Sequence, residues 1–181
     1  MKMDKVANSG NDEFYTPAYA VRPILKHLDR GARIWCPFDT DDSLFVRMLR
    51  HEGHDVQATH ISNGEDFFSQ TTPPGIDYII SNPPYSLKTE VLEDLFARGV
   101  PFAMLLCVVG LFESQRRFEM FRDNDFEVLY MNRRVAYFRS YAEPKPALNP
   151  PFSSVYICHK VLPEKIMFEE VDKGQAHFSA A

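Results

Sequence analysis

The sequence has no apolar run long enough to cross a membrane. Its longest, Ala103 to Leu111, falls well short of the roughly 18 residues a spanning helix requires. Its first residues, Met1-Lys2-Met3-Asp4-Lys5, contain no apolar signal core, so a cytoplasmic location is expected. Cysteine is scarce: Cys36, Cys107 and Cys158 cannot all pair within one chain, and their spacing matches no zinc-ligand pattern. Each lies in or beside an apolar run, so buried, reduced thiols are expected and no metal site. An excess of positive charge is also missing. With 20 Lys and Arg against 25 Asp and Glu, the net charge of -5 argues against a protein that coats a polyanion non-specifically. No internal repeat or low-complexity tract is present. What remains is 181 residues, 45% hydrophobic and 13% aromatic, enough for one compact domain around a single core.

Charge is unevenly distributed. Between Arg133 and Lys160 lie five basic residues (Arg133, Arg134, Arg139, Lys145, Lys160) and only Glu143 as an acid, a local +4. From Cys36 to Ser69, seven acids face Arg47 and Arg50, a local -5. One region suits phosphates and the other a cationic ligand, although chance patchiness of a solvated surface gives the same pattern.

Apolar periodicity alternates along the chain. Pro17 to Asp29 reads as helical with Pro23 as a break, Arg33 to Cys36 as a strand, and Asp41 or Asp42 as the cap of a helix to His51. Val56 to Ile61 and Ile76 to Ser81 follow as strands, Leu87 to Arg98 as a helix closed by Gly99, and Phe102 to Val109 as a continuously apolar strand. Glu113 to Asn124 is helical; Phe126 to Met131 and Ser154 to Val161 are the last two strands, with no helix between them. The spacing therefore predicts an α/β chain: a mostly parallel sheet, helices on both faces, and a terminal antiparallel hairpin. Flavodoxin-like and dinucleotide-binding domains alternate in the same way.

The most informative segment is Asp77-Tyr78-Ile79-Ile80-Ser81-Asn82-Pro83-Pro84-Tyr85, which sets Asn-Pro-Pro-Tyr directly after a buried strand. Ligands bind at that edge of open parallel sheets. Two prolines stiffen the backbone and remove N–H donors, leaving carbonyl acceptors exposed. The Asn82 side-chain oxygen and the Pro83 carbonyl can then accept from one NH2 group, and Tyr85 offers a ring on which a planar base could stack. A rigid turn that merely ends a strand is the plainer alternative.

At these residues the sequence resembles the class I S-adenosylmethionine-dependent amino-methyltransferases of the N6-adenine type, whose motif is Asp, Asn or Ser followed by Pro-Pro and an aromatic. The resemblance implies a Rossmann-like sheet of seven strands, or fewer, and Asn82, Pro83, Pro84 and Tyr85 as the catalytic corner. On its strength, Asp12-Glu13-Phe14-Tyr15-Thr16-Pro17 looks like the N-terminal cofactor motif, with Phe14, Tyr15, Thr16 and Pro17 lining the methionine end; a plain helix cap is the alternative. Cys36, Pro37 and Asp39 occupy the place of the first cofactor motif, Asp39 accepting from the cofactor's amino group. His60 stands where an acid usually holds the ribose. Asp66 and Phe67, within Glu65-Asp66-Phe67-Phe68, would receive the cofactor adenine, or else form an acidic turn before two core phenylalanines.

Two departures stand out: no glycine-rich loop follows the first strand, and no acid ends the second. The Cys-Pro-Phe-Asp form is similar to a subset of small, often phage-related proteins of this kind. Residues 133–152, a connection holding four of the 13 prolines, would face the substrate. There Arg133 and Arg134 would contact phosphates while Tyr137 or Phe138 covers a flipped base. A second Asn149-Pro150-Pro151-Phe152 follows no buried strand and reads as a stiff entry to the last one. The implied activity is methyl transfer from S-adenosyl-L-methionine to the adenine N6 amine of nucleic acid, DNA rather than RNA. With all of 1–181 in one methyltransferase domain, target recognition would fall to a very short site, a partner protein or an oligomer. The motif also serves enzymes acting on protein glutamine or RNA guanine amines, and a non-catalytic binding protein on the same fold is the remaining alternative.

Overall fold

The structure is a computed structural model describing residues 14–180. The Asp12 and Glu13 end of the N-terminal motif lies outside the described residues. Seven strands form one sheet: β1 (Arg33–Cys36), β2 (Asp55–Ala58), β3 (Tyr78–Ser81), β4 (Phe102–Cys107), β5 (Glu127–Met131), β6 (Ser154–His159) and β7 (Ile166–Glu169). Among the described residues four α-helices accompany them: α1 (Ala18–Leu25), α2 (Leu44–His51), α3 (Lys88–Arg98) and α4 (Gln115–Asp123). The strand order is β2-β1-β3-β4-β6-β5-β7, with β6 antiparallel to both neighbours and every other pairing parallel.

This order explains where a ligand can bind. The β1-α2-β2 crossover moves outward on one side of β1, while β3-α3-β4 moves the opposite way. Since both crossovers are parallel and right-handed by preference, their helices cover opposite faces, and a crevice opens between the carboxyl ends of β1 and β3. Central strands β3, β4 and β6 are buried along their whole length, as the unbroken apolar runs require. All three cysteines are buried thiols outside any disulfide, and burial pushes the Cys36 and Cys158 thiols well up.

Three details correct the sequence reading. Helix α2 is capped by Ser43, whose Oγ accepts from the Phe45 N–H, and not by Asp41 or Asp42. Helix α1 starts after Pro17 with no side-chain cap, so the Thr16 hydroxyl is available for another task. The β5–β6 hairpin is present, but β6 inserts between β4 and β5 and is not the last strand. A seventh strand, β7, follows and pairs in parallel with β5. The turn into β7 is held by Glu127, a buried side chain whose carboxylate accepts from the N–H groups of Lys160, Val161 and Leu162. Lys160 sits there at φ 55°, a left-handed conformation uncommon for a side-chain-bearing residue.

Candidate active site at the β1–β3 crevice

A cavity of about 500 Å³ occupies the crevice, within the range of small-molecule sites. Its wall combines the β1 loop (Pro37 to Thr40), the segment from His60 to Phe68, the N-terminal arm (Phe14 to Thr16) and the corner after β3. Asp39, Glu65 and Asp66 stand in that wall, and among the described residues no Lys or Arg does. Such a lining favours a ligand that is cationic and partly aromatic.

Asn82 is the most constrained polar group. Its Nδ2 donates to the Phe14 carbonyl at 3.0 Å and to Thr16 Oγ1 at 3.1 Å. A backbone carbonyl can only accept, so the Phe14 contact fixes which end of the amide is nitrogen. The other end, Oδ1, is buried and has no hydrogen-bond partner among the described residues. A buried acceptor left unmatched costs about 1–3 kcal/mol, and such groups mark places where something else binds. The Thr16 hydroxyl, read as a plain helix cap in one of the alternatives above, serves Asn82 instead.

Asp39 joins the two strand ends across the crevice. Its Oδ1 accepts from Ser43 Oγ at 2.5 Å and its Oδ2 from Ser81 Oγ. Burial raises its carboxyl from 3.8 to about 6, against the opposing pull of the Ser43 and Ser81 hydroxyls and the nearby His60. The loop needs no glycine, because no residue from Pro37 to Ser43 has a positive φ. The cost is that Phe38 and Thr40 side chains, not bare backbone, face the cavity.

Farther along the wall, Asp66 caps a short 3-10 turn, accepting from the Phe68 N–H at 3.3 Å and from Ser69 Oγ at 2.9 Å. The acidic turn is therefore present, but of the two phenylalanines only Phe67 belongs to the core, Phe68 being 41% exposed, and the segment also lines the cavity. Phe67 is held from behind by Arg98, whose guanidinium lies 4.6 Å from the ring centroid and donates to the Phe67 and Gln70 carbonyls. His60 Nδ1 accepts from the Ser62 N–H and also meets Ser62 Oγ at 2.7 Å, so the ring serves its own turn while it lines the cavity.

Of the residues expected to hold a cofactor, Phe14, Tyr15, Thr16, Pro37, Asp39, His60, Asp66 and Phe67 line the cavity, as do Asn82 and Pro84 of the corner. Cys36, Pro17 and Pro83 do not, being buried behind it. Cys36 ends β1 with its thiol in the core, because the strand's alternation turns it away from the opening. Tyr85, expected to offer a ring to a base, is 7% exposed and already stacked on Phe14, with centroids 5.2 Å apart and planes at 22°. Its hydroxyl meets Tyr137 at 2.6 Å.

Tyr137 and Phe138 are fully buried, contrary to the expectation that one of them covers a base. The Tyr137 hydroxyl joins Tyr85 to Ser154, and Phe138 forms a backbone pair with Tyr15. Both pin residues 133–152 to the core. Arg133 and Arg134 are exposed just beyond β5, a strand parallel to β3, and so lie at the sheet edge that carries the cavity. The second Asn-Pro-Pro leads into β6, with Asn149 exposed and Phe152 packed edge-on to Tyr85 at 5.6 Å.

Sequence reasoning passed over Phe38 and Tyr141. Tyr141 comes from the proline-containing connection, lines the cavity, donates to the Thr16 carbonyl at 3.0 Å and accepts from the Leu44 N–H at 3.3 Å. Nothing in its local pattern separates it from other loop aromatics. Among the described residues, no group of His, Cys, Asp or Glu is placed to hold a metal ion, and no helix is long and apolar enough to cross a membrane.

No protein-family model and no curated protein matches this sequence. Among solved structures, the chain is similar to a protein assigned as a modification subunit of a type I restriction enzyme from Vibrio vulnificus YJ016, with a TM-score of 0.51 and 13% identity. The similarity covers 96% of this chain and 50% of that one, so the present chain spans about half of its length. At this level of identity the likeness concerns fold: the chain has a Rossmann-like α/β fold with a mostly parallel seven-stranded sheet.

Proposed function

We propose that the protein transfers a methyl group from S-adenosyl-L-methionine to the exocyclic N6 amine of adenine in nucleic acid, DNA rather than RNA. The reading is carried by one observation: Asn82 lines a cavity of suitable size, and its Oδ1 is a buried, oriented acceptor with no partner among the described residues. An NH2 donor satisfies it.

The cavity residues suit the cofactor. Asp39 and Glu65 offer negative charge to a ligand bearing an ammonium and a sulfonium, while Phe38, Phe67 and Asp66 suit its adenine. His60 stands near the expected ribose. When bound, the cofactor supplies an electrophilic methyl group. The chain's own task is to bind the amine and orient it. Asn82 Oδ1 accepts a hydrogen bond from the amine, which helps localise the nitrogen lone pair, and the stiff Pro83-Pro84 backbone, with Pro83 buried behind the wall, keeps that acceptor from reorganising. Arg133 and Arg134 contact phosphates outside the cavity. We assign the whole of 1–181 to this one domain, with 133–152 facing the substrate. The structural neighbour's description as a modification subunit supports a nucleic-acid substrate.

The test is transfer of tritiated methyl groups to DNA, RNA and protein substrates side by side, followed by nucleoside analysis. N6-methyladenine is the expected product. Label found only in glutamine or guanine would reassign the acceptor, and heatless titration with S-adenosylmethionine would leave a non-catalytic binding protein.

A further inference from the structure

The orphaned oxygen of Asn82 is only as well placed as the arm that holds the other end of its amide. That arm is short. Phe14 and Thr16 supply both anchors, and neither belongs to the β3 corner. Thr16 Oγ1 alone would not fix the amide, because a hydroxyl can donate as well as accept and tolerates a flipped Asn. What sets the orientation is the position of the arm's backbone, which brings the Phe14 carbonyl to Nδ2.

Two contacts from the 133–152 connection locate that backbone. The first is the two-way pairing of Tyr15 with Phe138, at 3.2 and 2.9 Å. The second is the Tyr141 hydroxyl, which donates to the Thr16 carbonyl while receiving the Leu44 N–H. The Tyr141 ring is wedged between Tyr15 and Phe138, with centroids at 5.2 and 5.5 Å. Burial pushes its phenol well up, so the hydroxyl stays a donor at working pH. Two hydrogen-bonded runs meet in the one residue Thr16: the Leu44 amide and the Tyr141 hydroxyl lead to its carbonyl, and its hydroxyl receives the Asn82 amide.

We propose that Tyr141 is a positioning residue that orients the Asn82 acceptor through Thr16, tying the connection that carries Arg133, Arg134 and Arg139 to the catalytic corner. The role rests on the proposed methyl transfer for its meaning, but the linkage itself can be read without turnover.

The experiment is Tyr141→Phe, which keeps the ring and removes the hydroxyl. In ¹⁵N spectra, the Asn82 side-chain NH2 resonances should shift and exchange with solvent faster. In the transfer assay kcat should fall about 3- to 10-fold, the worth of one neutral hydrogen bond, with the KM for nucleic acid and the affinity for S-adenosylmethionine within about twofold. Thr16→Val, which removes Oγ1 but keeps the carbonyl, should give a similar loss. The double variant should lose less than the product of the two, as groups in one network do. Unchanged Asn82 resonances in Tyr141→Phe would overturn the linkage, and so would a loss confined to cofactor affinity, the signature of a mere cavity wall. If the native protein transfers no methyl group, the function fails while the Asn82 resonances still decide the linkage.

Discussion

Asp39→Asn should make the protein more stable at neutral pH while costing it cofactor. The carboxyl is raised from 3.8 to about 6, chiefly by burial. The native chain therefore holds this proton to higher pH than the unfolded chain, and its stability falls as pH rises through roughly 4 to 6. The penalty is absent at low pH and complete above about 6, where it reaches roughly 3 kcal/mol. An amide of the same shape removes the charge. It can still accept from one serine hydroxyl and donate to the other, provided that one of Ser43 and Ser81 reorients. Allowing for that adjustment, a net gain of about 1–3 kcal/mol is expected at pH 7.5, or a melting midpoint higher by several degrees at about 2–4 °C per kcal/mol. Urea melts of both proteins at pH 4 and pH 7.5 read the effect: near-equal stability at pH 4 and a more stable variant at 7.5. Titration with S-adenosylmethionine should at the same time show weakened binding, a stability-for-function exchange typical of binding sites. A variant less stable than the native protein at pH 7.5, or a difference independent of pH, would refute the account of Asp39.

Other perturbations probe separate parts of the structure. Changing Arg133 and Arg134 together to Ala should reduce the slope of log K against log salt by about 1–2, since each phosphate contact contributes roughly 0.7–0.9; an unchanged slope places the nucleic acid elsewhere. Glu127→Ala strands three backbone N–H groups in the turn before β7. A destabilisation of about 3 kcal/mol or more is expected from chemical denaturation, and a loss below about 1 kcal/mol would show that water replaces the carboxylate.

Central strands were legible because burial on both faces leaves unbroken apolar runs, as in Phe102 to Cys107. Strand β7 was not. Ile166 to Glu169 is short and half exposed, and the turn that delivers it to β5 is held by Glu127, 33 to 35 residues before that turn. The place of Asn82 and Pro84 at the cavity wall could be read from the Asn-Pro-Pro turn directly after β3, since that geometry is local. The fate of neighbouring aromatics could not: a Tyr-Phe pair beside two arginines reads alike whether it faces a ligand or the core, and Tyr137 and Phe138 face the core. Tyr141 and the Thr16 hydroxyl stayed hidden for a related reason. Their roles exist only once residues more than 60 positions apart meet.

The central claim is that Asn82 presents an unpaired oxygen to a substrate amine. It is tested most directly by tritiated methyl transfer to adenine-containing DNA by the native protein and Asn82→Ala, with melting curves recorded for both. The account predicts N6-methyladenine from the native protein and none above background from a variant that melts at nearly the same temperature. Comparable methylation by the variant would contradict it.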